Sequence, residues 1–97
     1  DMPKLTKVEI KQLKPLQEQF RRALYSDWCV PLSSDEETLL LGIARRDIPD
    51  YSYSRSCGTC ILNLVKYVGK KYENALVDGV VPGYPKGTTL RSMLLCK

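Results

Sequence analysis

Two of the four cysteines in the chain stand three residues apart, in the segment Ser56-Cys57-Gly58-Thr59-Cys60. An apolar stripe at helical spacing follows this segment, so the pair is predicted to lie at the amino-terminal end of a helix. The helix dipole and the free N–H groups at such an end stabilise a thiolate and lower the pKa of a cysteine. This arrangement is typical of thiol–disulfide exchange. A thioredoxin-like enzyme would need several strands before the motif, however, whereas residues 1–50 have helical patterns.

A zinc site is the second interpretation of the cysteines. The closely spaced pair supplies two ligands, and Cys29 and Cys96 would complete a tetrahedron of four thiolates. Structural zinc sites usually combine two such pairs, and this chain has one. The third interpretation is a local disulfide or two inert thiols, with Cys60 packing as a small apolar residue beside the stripe. We favour this third interpretation, which predicts no cofactor and leaves zinc as the alternative.

Residues for most other catalytic chemistry are missing from the sequence. The chain contains no histidine, which removes the commonest general base and the Ser–His and Cys–His nucleophile pairs. It contains neither a glycine-rich phosphate loop nor a Gly-x-Ser-x-Gly segment. The acidic run at residues 35–37 fits a helix start and needs no acid–base role. We therefore expect a protein that is not an enzyme and has no catalytic residues.

Basic and aromatic residues form the other candidate site. The first helical segment carries basic residues at spacings of three and four, opposite an apolar side. Such a face fits the phosphates of a nucleic acid, an anionic membrane surface or an acidic patch on a protein, and it also fits a solvated surface. A loop farther along adds tyrosines and an arginine, which are favoured in interface hot spots. The candidate partner-binding residues are Lys4, Lys7, Lys11, Lys14, Arg21, Arg22, Tyr51, Tyr53 and Arg55.

The first helical segment is predicted over residues 7–25. Thr6 and Glu9 have the spacing of a capping box at its start. Pro15 interrupts the pattern, because it removes one backbone donor and clashes with the preceding turn. It therefore either kinks one helix or begins a second. The connector that follows carries Trp28, which we expect to anchor the core.

Two further helices are predicted after this connector. Ser34 and Glu37 are expected to form the capping box of the first, which runs to the basic pair at residues 45–46. Ser56 is expected to cap the second, whose apolar stripe continues to Tyr72. Gly69 within this helix costs about 1 kcal/mol relative to alanine.

Strand signals are weak and short. Residues 47–54 are predicted to form a loop, because the alternation in polarity at residues 51–53 fits one short strand but is too brief to define it. Residues 76–81 have the pattern of a tight hairpin, with an Asp-Gly pair at the turn. The stretch 89–95 fits either a strand or a final helical turn.

Length and composition complete the fold prediction. The 97 residues are 43% hydrophobic and 27% charged, with a net charge of +4, which fits one small domain spanning residues 1–97. We predict a mainly α fold, a small bundle of three to four helices with a short irregular or hairpin C-terminal segment. The predicted core residues are Leu13, Leu16, Phe20, Leu24, Trp28, Leu40, Ile43, Ile61, Leu64, Val65 and Val68.

Residues 34–72 resemble a known group of proteins. The order of an acid-capped helix, a polar loop, the segment Ser-Cys-Gly-Thr-Cys and an apolar helix is similar to small uncharacterised proteins of tailed bacteriophages that infect gut bacteria. The resemblance implies an accessory protein of a virus or mobile element. It carries over no functional residues.

The expected function is therefore that of a small interaction protein that binds another protein through basic helix faces and the Tyr/Arg loop. A nucleic-acid-binding accessory factor and a cysteine-based zinc or thiol-redox module are the alternatives. Self-association is a further expectation, because a small chain has surplus apolar surface. No apolar run reaches the ~18 residues of a membrane span. The start of the chain has no signal-peptide pattern, which favours the cytoplasm of a host cell or association with a virion, with a secreted form as the alternative.

Overall fold

Four α-helices and one 3-10 turn account for most of the computed structural model, which describes residues 5–76, 80–81, 83–84 and 86–92. Helix α1 spans Lys7–Leu13, the 3-10 turn spans Lys14–Leu16, and α2 spans Gln17–Ser26. Helix α3 spans Ser34–Asp47 and α4 spans Gly58–Ala75. The fold is mainly helical, as predicted. Because α1, the turn and α2 follow one another without a break, three helical segments enclose the core.

The start of the first segment follows the sequence signals. The Thr6 side chain accepts a hydrogen bond from the Glu9 backbone N–H at 3.1 Å, and the Glu9 carboxylate accepts from the Thr6 backbone N–H at 2.9 Å. The predicted capping box is therefore confirmed. Pro15 lies in the 3-10 turn that separates α1 from α2, because it lacks the donor that an uninterrupted helix requires there.

The predicted cap residues of α3 and α4 are each wrong by one position. Ser33, not Ser34, caps α3: its side chain accepts from the Glu36 N–H at 3.2 Å, and the Glu36 carboxylate accepts from the Ser33 N–H at 2.8 Å. Two adjacent serines each have a glutamate three residues later, so the pattern alone does not distinguish them. Cys57, not Ser56, caps α4.

The core lies mainly between α2 and α4. Phe20 of α2 and Tyr72 of α4 are fully buried, with ring centroids 5.3 Å apart. Gly69 explains the close approach: a Cβ atom at this position would lie 3.0 Å from Cδ1 of Phe20. The helix therefore contains a poor helix former where the neighbouring ring needs the space.

Most of the predicted core is confirmed. The buried members from the prediction are Leu13, Leu16, Phe20, Leu40, Ile43, Leu64, Val65 and Val68. Leu24 and Ile61 are partly buried against them. Trp28 was predicted to anchor the core, and this is wrong, because the residue is 50% exposed. Val81 and Leu90, from the C-terminal segment, are buried residues that the sequence pattern did not reveal.

Strand structure is sparse in the described part of the chain. Residues 51–53 form a loop, as predicted, and not the short strand that their alternation also allowed. Val80 and Thr89 form an isolated antiparallel bridge, supported by a hydrogen bond of 2.7 Å from the Val81 N–H to the Thr88 carbonyl. The turn of the predicted hairpin, residues 77–79, lies outside the described residues, as do residues 93–95 of the final segment.

Candidate functional site

The closely spaced cysteines form a disulfide at the start of α4. Cys57 and Cys60 are bonded, with their Cα atoms 5.2 Å apart. Cys57 occupies the cap position, and its Sγ accepts a hydrogen bond from the Cys60 backbone N–H at 3.1 Å. The favoured interpretation of the sequence included such a local disulfide.

The other two cysteines do not join this pair in the described structure. Cys29 is a free, half-buried thiol, and burial raises its pKa. Cys96 lies outside the residues that the structure describes. Among the residues it does describe, no three or more Cys, Asp or Glu side chains are grouped so as to hold a metal ion. The four-cysteine zinc set therefore stays a prediction.

The predicted basic face is shorter than the sequence pattern indicated. Lys7, Lys11 and Lys14 are exposed on or just after α1, and Lys4 lies outside the described residues. Arg21 is only 4% exposed and donates to the Glu18 carboxylate at 2.9 and 3.2 Å, so its placement on an outer basic face was wrong. The turn at the proline changes the helical phase, so the three-and-four spacing of α1 does not continue into α2.

The Tyr51–Arg55 loop is packed on the start of α3. The Tyr53 hydroxyl donates to the Glu37 carboxylate at 2.6 Å, and the Arg55 guanidinium donates to the Ser34 hydroxyl at 3.2 Å. Burial, reinforced by the hydrogen bond to Glu37, raises the pKa of Tyr53 to about 12. The ring of Tyr51 packs near that of Tyr67, with centroids 6.3 Å apart. Arg55 remains the most accessible of the three predicted binding residues in this loop.

The connector between α2 and α3 exposes the single tryptophan of the chain. Trp28 is 50% exposed, and the guanidinium carbon of Arg22 lies 5.2 Å from its ring centroid. Val30, two residues later, is 41% exposed, whereas Cys29 between them packs against the core. This alternation is typical of extended backbone. We call Arg22, Asp27, Trp28, Val30 and Lys66 the Trp28 surface.

Several contacts fix the backbone of the Trp28 surface. Asp27 ends α2 in the left-handed conformation, with φ of 56°, and so turns the chain away from the helix axis. The Trp28 N–H then donates to the Arg22 carbonyl at 3.4 Å. Gln19, which is buried, donates to the Val30 carbonyl at 3.2 Å and accepts from the Val30 N–H at 3.1 Å. The Asp27 carboxylate pairs with the ammonium of Lys66 on α4. The exposed indole is therefore carried on an ordered connector.

Sequence reasoning missed the Trp28 surface because it treated the tryptophan only as a core anchor. One signal was available. The Ser26-Asp27 pair directly before Trp28 is a poor continuation of a helix and a good left-handed end. A tryptophan that follows such an end leaves the apolar face of the helix.

A second group of polar residues lies at the junction of α1, α3 and α4, and we call it the Asp47 network. The Asp47 side chain is fully buried, and its Oδ2 accepts from the Tyr67 hydroxyl at 2.8 Å and from the Lys71 ammonium at 2.7 Å. Arg46 bridges outward, lying 2.6 Å from the Glu9 carboxylate and 3.7 Å from Oδ1 of Asp47. Burial opposes the charge of Asp47, but the hydrogen bonds from Lys71 and Tyr67 outweigh it and lower the pKa of this carboxyl. The network joins three helices and was not foreseen from the sequence.

The candidate sites have no counterpart in a known protein family or structure to which they can be compared, since no family model, curated protein or solved structure matches the chain. The resemblance of residues 34–72 to small phage proteins therefore stays a prediction. Of the helices in the described ranges, none combines the length and the apolar character needed to cross a membrane.

Proposed function

We propose that this protein is a small, non-enzymatic interaction protein that binds another protein through the Trp28 surface. The observation that carries the proposal is the half-exposed indole beneath the Arg22 guanidinium, on a connector whose backbone is fixed. Tryptophan and arginine are the residue types most enriched in interface hot spots. An ordered connector also reduces the conformational entropy that binding has to overcome.

The size of the exposed apolar area supports a protein partner. A tryptophan buries about 150–250 Å² when it is covered, so half of that leaves on the order of 100 Å² in water. At about 25 cal/mol per Å², covering this area contributes roughly 2–3 kcal/mol to a complex. The same chain buries Phe20 and Tyr72 completely. Trp28 is therefore the most exposed aromatic residue of the chain, followed by Tyr25 at 37%.

The charges near the indole indicate the partner's chemistry. The Arg22 guanidinium lies over the ring, and the pair formed by Asp27 and Lys66 is internally neutral. A complementary protein surface offers an apolar pocket for Trp28 with a carboxylate beside it for Arg22. The exposed lysines of α1 add a positive field that favours encounter with an acidic partner. An accessory role for a virus or mobile element, implied by the phage resemblance, fits a small protein that acts by binding.

Site-specific photo-crosslinking tests this proposal. A photoreactive amino acid is placed at Val30, on the Trp28 surface, and in a matched control at Val8, which is 66% exposed on α1. In cells that encode the chain, we expect the Val30 position to form an adduct with one protein, and W28A to abolish it. We expect no such adduct from the Val8 position. Adducts that form equally at both positions, or that survive W28A, would contradict the proposal.

A nucleic-acid partner is the second candidate, and one observation favours it. The side chains of Lys7, Lys11 and Lys14 form no ion pair with any residue in the described ranges, which leaves them available to phosphates. An exposed indole is also able to stack on an unpaired base. The buried Arg21 weakens this candidate, because one of the predicted cations is already neutralised by Glu18. Binding to single-stranded and duplex oligonucleotides, measured from ~50 to ~200 mM salt, tests it: a steep loss of affinity supports contact with phosphates.

A further inference from the structure

Three helices of this protein begin with a residue whose side chain accepts the backbone N–H three positions later, and at α4 that residue is a cysteine. Thr6 caps α1 and Ser33 caps α3, and each is paired with a glutamate three residues later. Cys57 caps α4 and is paired with Cys60 at that same third position, with the Cys57 Sγ accepting the Cys60 N–H. The cysteines therefore supply one of the two hydrogen bonds of a capping box, while the Cys57 N–H donates instead to the Ser54 carbonyl at 3.1 Å.

The surroundings of the pair favour a reactive thiolate. The first turn of α4 contains no acidic residue, whereas the first turn of α3 contains three. The positive end of the α4 dipole is therefore not compensated by a carboxylate in its own first turn. The neighbours Ser56, Gly58 and Thr59 are exposed, and the cysteines themselves are half-buried. The turn that carries the pair is therefore exposed to solvent.

We propose that Cys57 and Cys60 form a thiol–disulfide exchange site that reacts with low-molecular-weight thiols, with Cys57 as the reacting sulfur. An external thiolate attacks the Cys57 Sγ, the Cys57–Cys60 bond breaks, and Cys60 leaves as a thiolate that takes up a proton. A second external thiolate then attacks the external sulfur of the mixed disulfide and releases Cys57 as a thiolate. Two external thiols are oxidised to one disulfide, and the protein disulfide is reduced by the same two electrons.

The cap geometry explains why the helix survives both redox states. After reduction the Cys57 thiolate keeps the role of cap acceptor for the Cys60 N–H, as the hydroxyls of Thr6 and Ser33 do in their helices. The disulfide closes a ring with only two intervening residues. Such a short ring removes little chain entropy from the unfolded state, so the bond contributes less to stability than a long-range disulfide does. The pair is therefore suited to reversible exchange.

Alkylation of the reduced full-length chain tests the proposal. Iodoacetamide labelling is followed from pH 4 to pH 9, and peptide mass mapping reports each cysteine separately. We expect Cys57 to react at pH 6 at least about tenfold faster than Cys29, because a cap position lowers a cysteine pKa and burial raises that of Cys29. C60S should retain the fast reaction of Cys57 and, when treated with oxidised glutathione, should form a stable mixed disulfide as one glutathione leaves as a thiolate. C57S should lose both, and C29S should change neither.

Other outcomes would overturn the exchange site. One is a disulfide that resists glutathione until the chain unfolds, and another is loss of helical circular dichroism on reduction of the wild-type protein. Equal alkylation rates at Cys57 and Cys29 would show that the cap does not activate the sulfur. Stoichiometric zinc bound by the reduced chain would replace exchange with a metal site. Since these measurements use the wild-type chain, they remain decisive even if a serine variant fails to fold, and they do not depend on the Trp28 surface.

Discussion

The Trp28 surface and the Asp47 network depart from the usual distribution of polarity in opposite directions. At one, an indole is half-exposed to water. At the other, a carboxylate is fully buried. Lys71 and Tyr67 both donate to Oδ2 of this carboxylate, whereas its buried Oδ1 accepts no hydrogen bond from the described residues. The Arg22 guanidinium lies over the indole, and half of the Trp28 residue is exposed to water. The buried charge holds three helices together, whereas the exposed ring is available to a second molecule.

Removal of the buried carboxylate should have the largest effect. D47A removes the carboxylate to which the Lys71 ammonium and the Tyr67 hydroxyl donate, and breaking a buried pair in this way typically costs about 3–5 kcal/mol. A domain of this size is stable by only about 5–15 kcal/mol, so the variant should be close to unfolding at 37 °C. Urea denaturation followed by circular dichroism measures the change. W28A is the matched control and should cost less, about 2–3 kcal/mol at most, because half of the indole is already exposed to water. Equal losses in the two variants would remove the distinction between the regions.

Acid should affect the two regions differently, with a smaller effect than D47A. The pKa values of Asp47 and Glu9 are lowered in the folded protein, for Asp47 by Lys71 and Tyr67 and for Glu9 by Arg46 and Thr6, in both cases against burial. A carboxyl whose pKa is lower in the folded state stabilises the protein above its unfolded pKa of about 4, and this contribution is lost as the pH falls through the folded pKa. Stability measured from pH 6 to pH 2 should therefore decline.

Two variants assign this acid dependence to its source. D47N should decline less steeply than the wild-type protein over the same range, because one of the shifted carboxyls has been removed. W28A should follow a line parallel to the wild type. A D47N profile parallel to the wild type would show that Asp47 contributes nothing to the acid dependence.

The fold was largely predictable because its signals are local. Capping boxes, proline and apolar spacing act within a few residues, and they located all three helical segments to within a residue or two at their starts. The error at Ser33 is instructive. Adjacent serines and adjacent glutamates allow two equivalent capping boxes. In the one that forms, Glu36 binds the Ser33 N–H, and the Glu37 carboxylate accepts a hydrogen bond from the hydroxyl of Tyr53, which is remote in sequence. Local patterns therefore predicted the element and tertiary contacts decided its first residue.

The candidate sites were harder to predict because they depend on distant pairs. Asp47 is joined to residues 20 and 24 positions away, and Glu9 to a residue 37 positions away. No spacing rule connects such positions. The exposure of Trp28 depends on one left-handed residue, Asp27, and on the Gln19 contact eleven positions from Val30. The cysteine pair was recognised from the sequence because its chemistry is contained within a single turn of helix.

The cation above the indole should have the smallest effect on stability and a clear effect on Trp28 itself. R22A removes a cation–π contact worth about 0.5–1 kcal/mol at an exposed site. Because Trp28 is the single tryptophan of the chain, its emission reports this position alone. Acrylamide should quench the wild-type emission readily and quench R22A more readily still, since the guanidinium no longer covers one side of the ring. R45A, at an exposed arginine on α3, is the matched control and should leave quenching unchanged. If wild-type Trp28 resists acrylamide as a core tryptophan does, its ring is covered in solution and the contrast with Asp47 is lost.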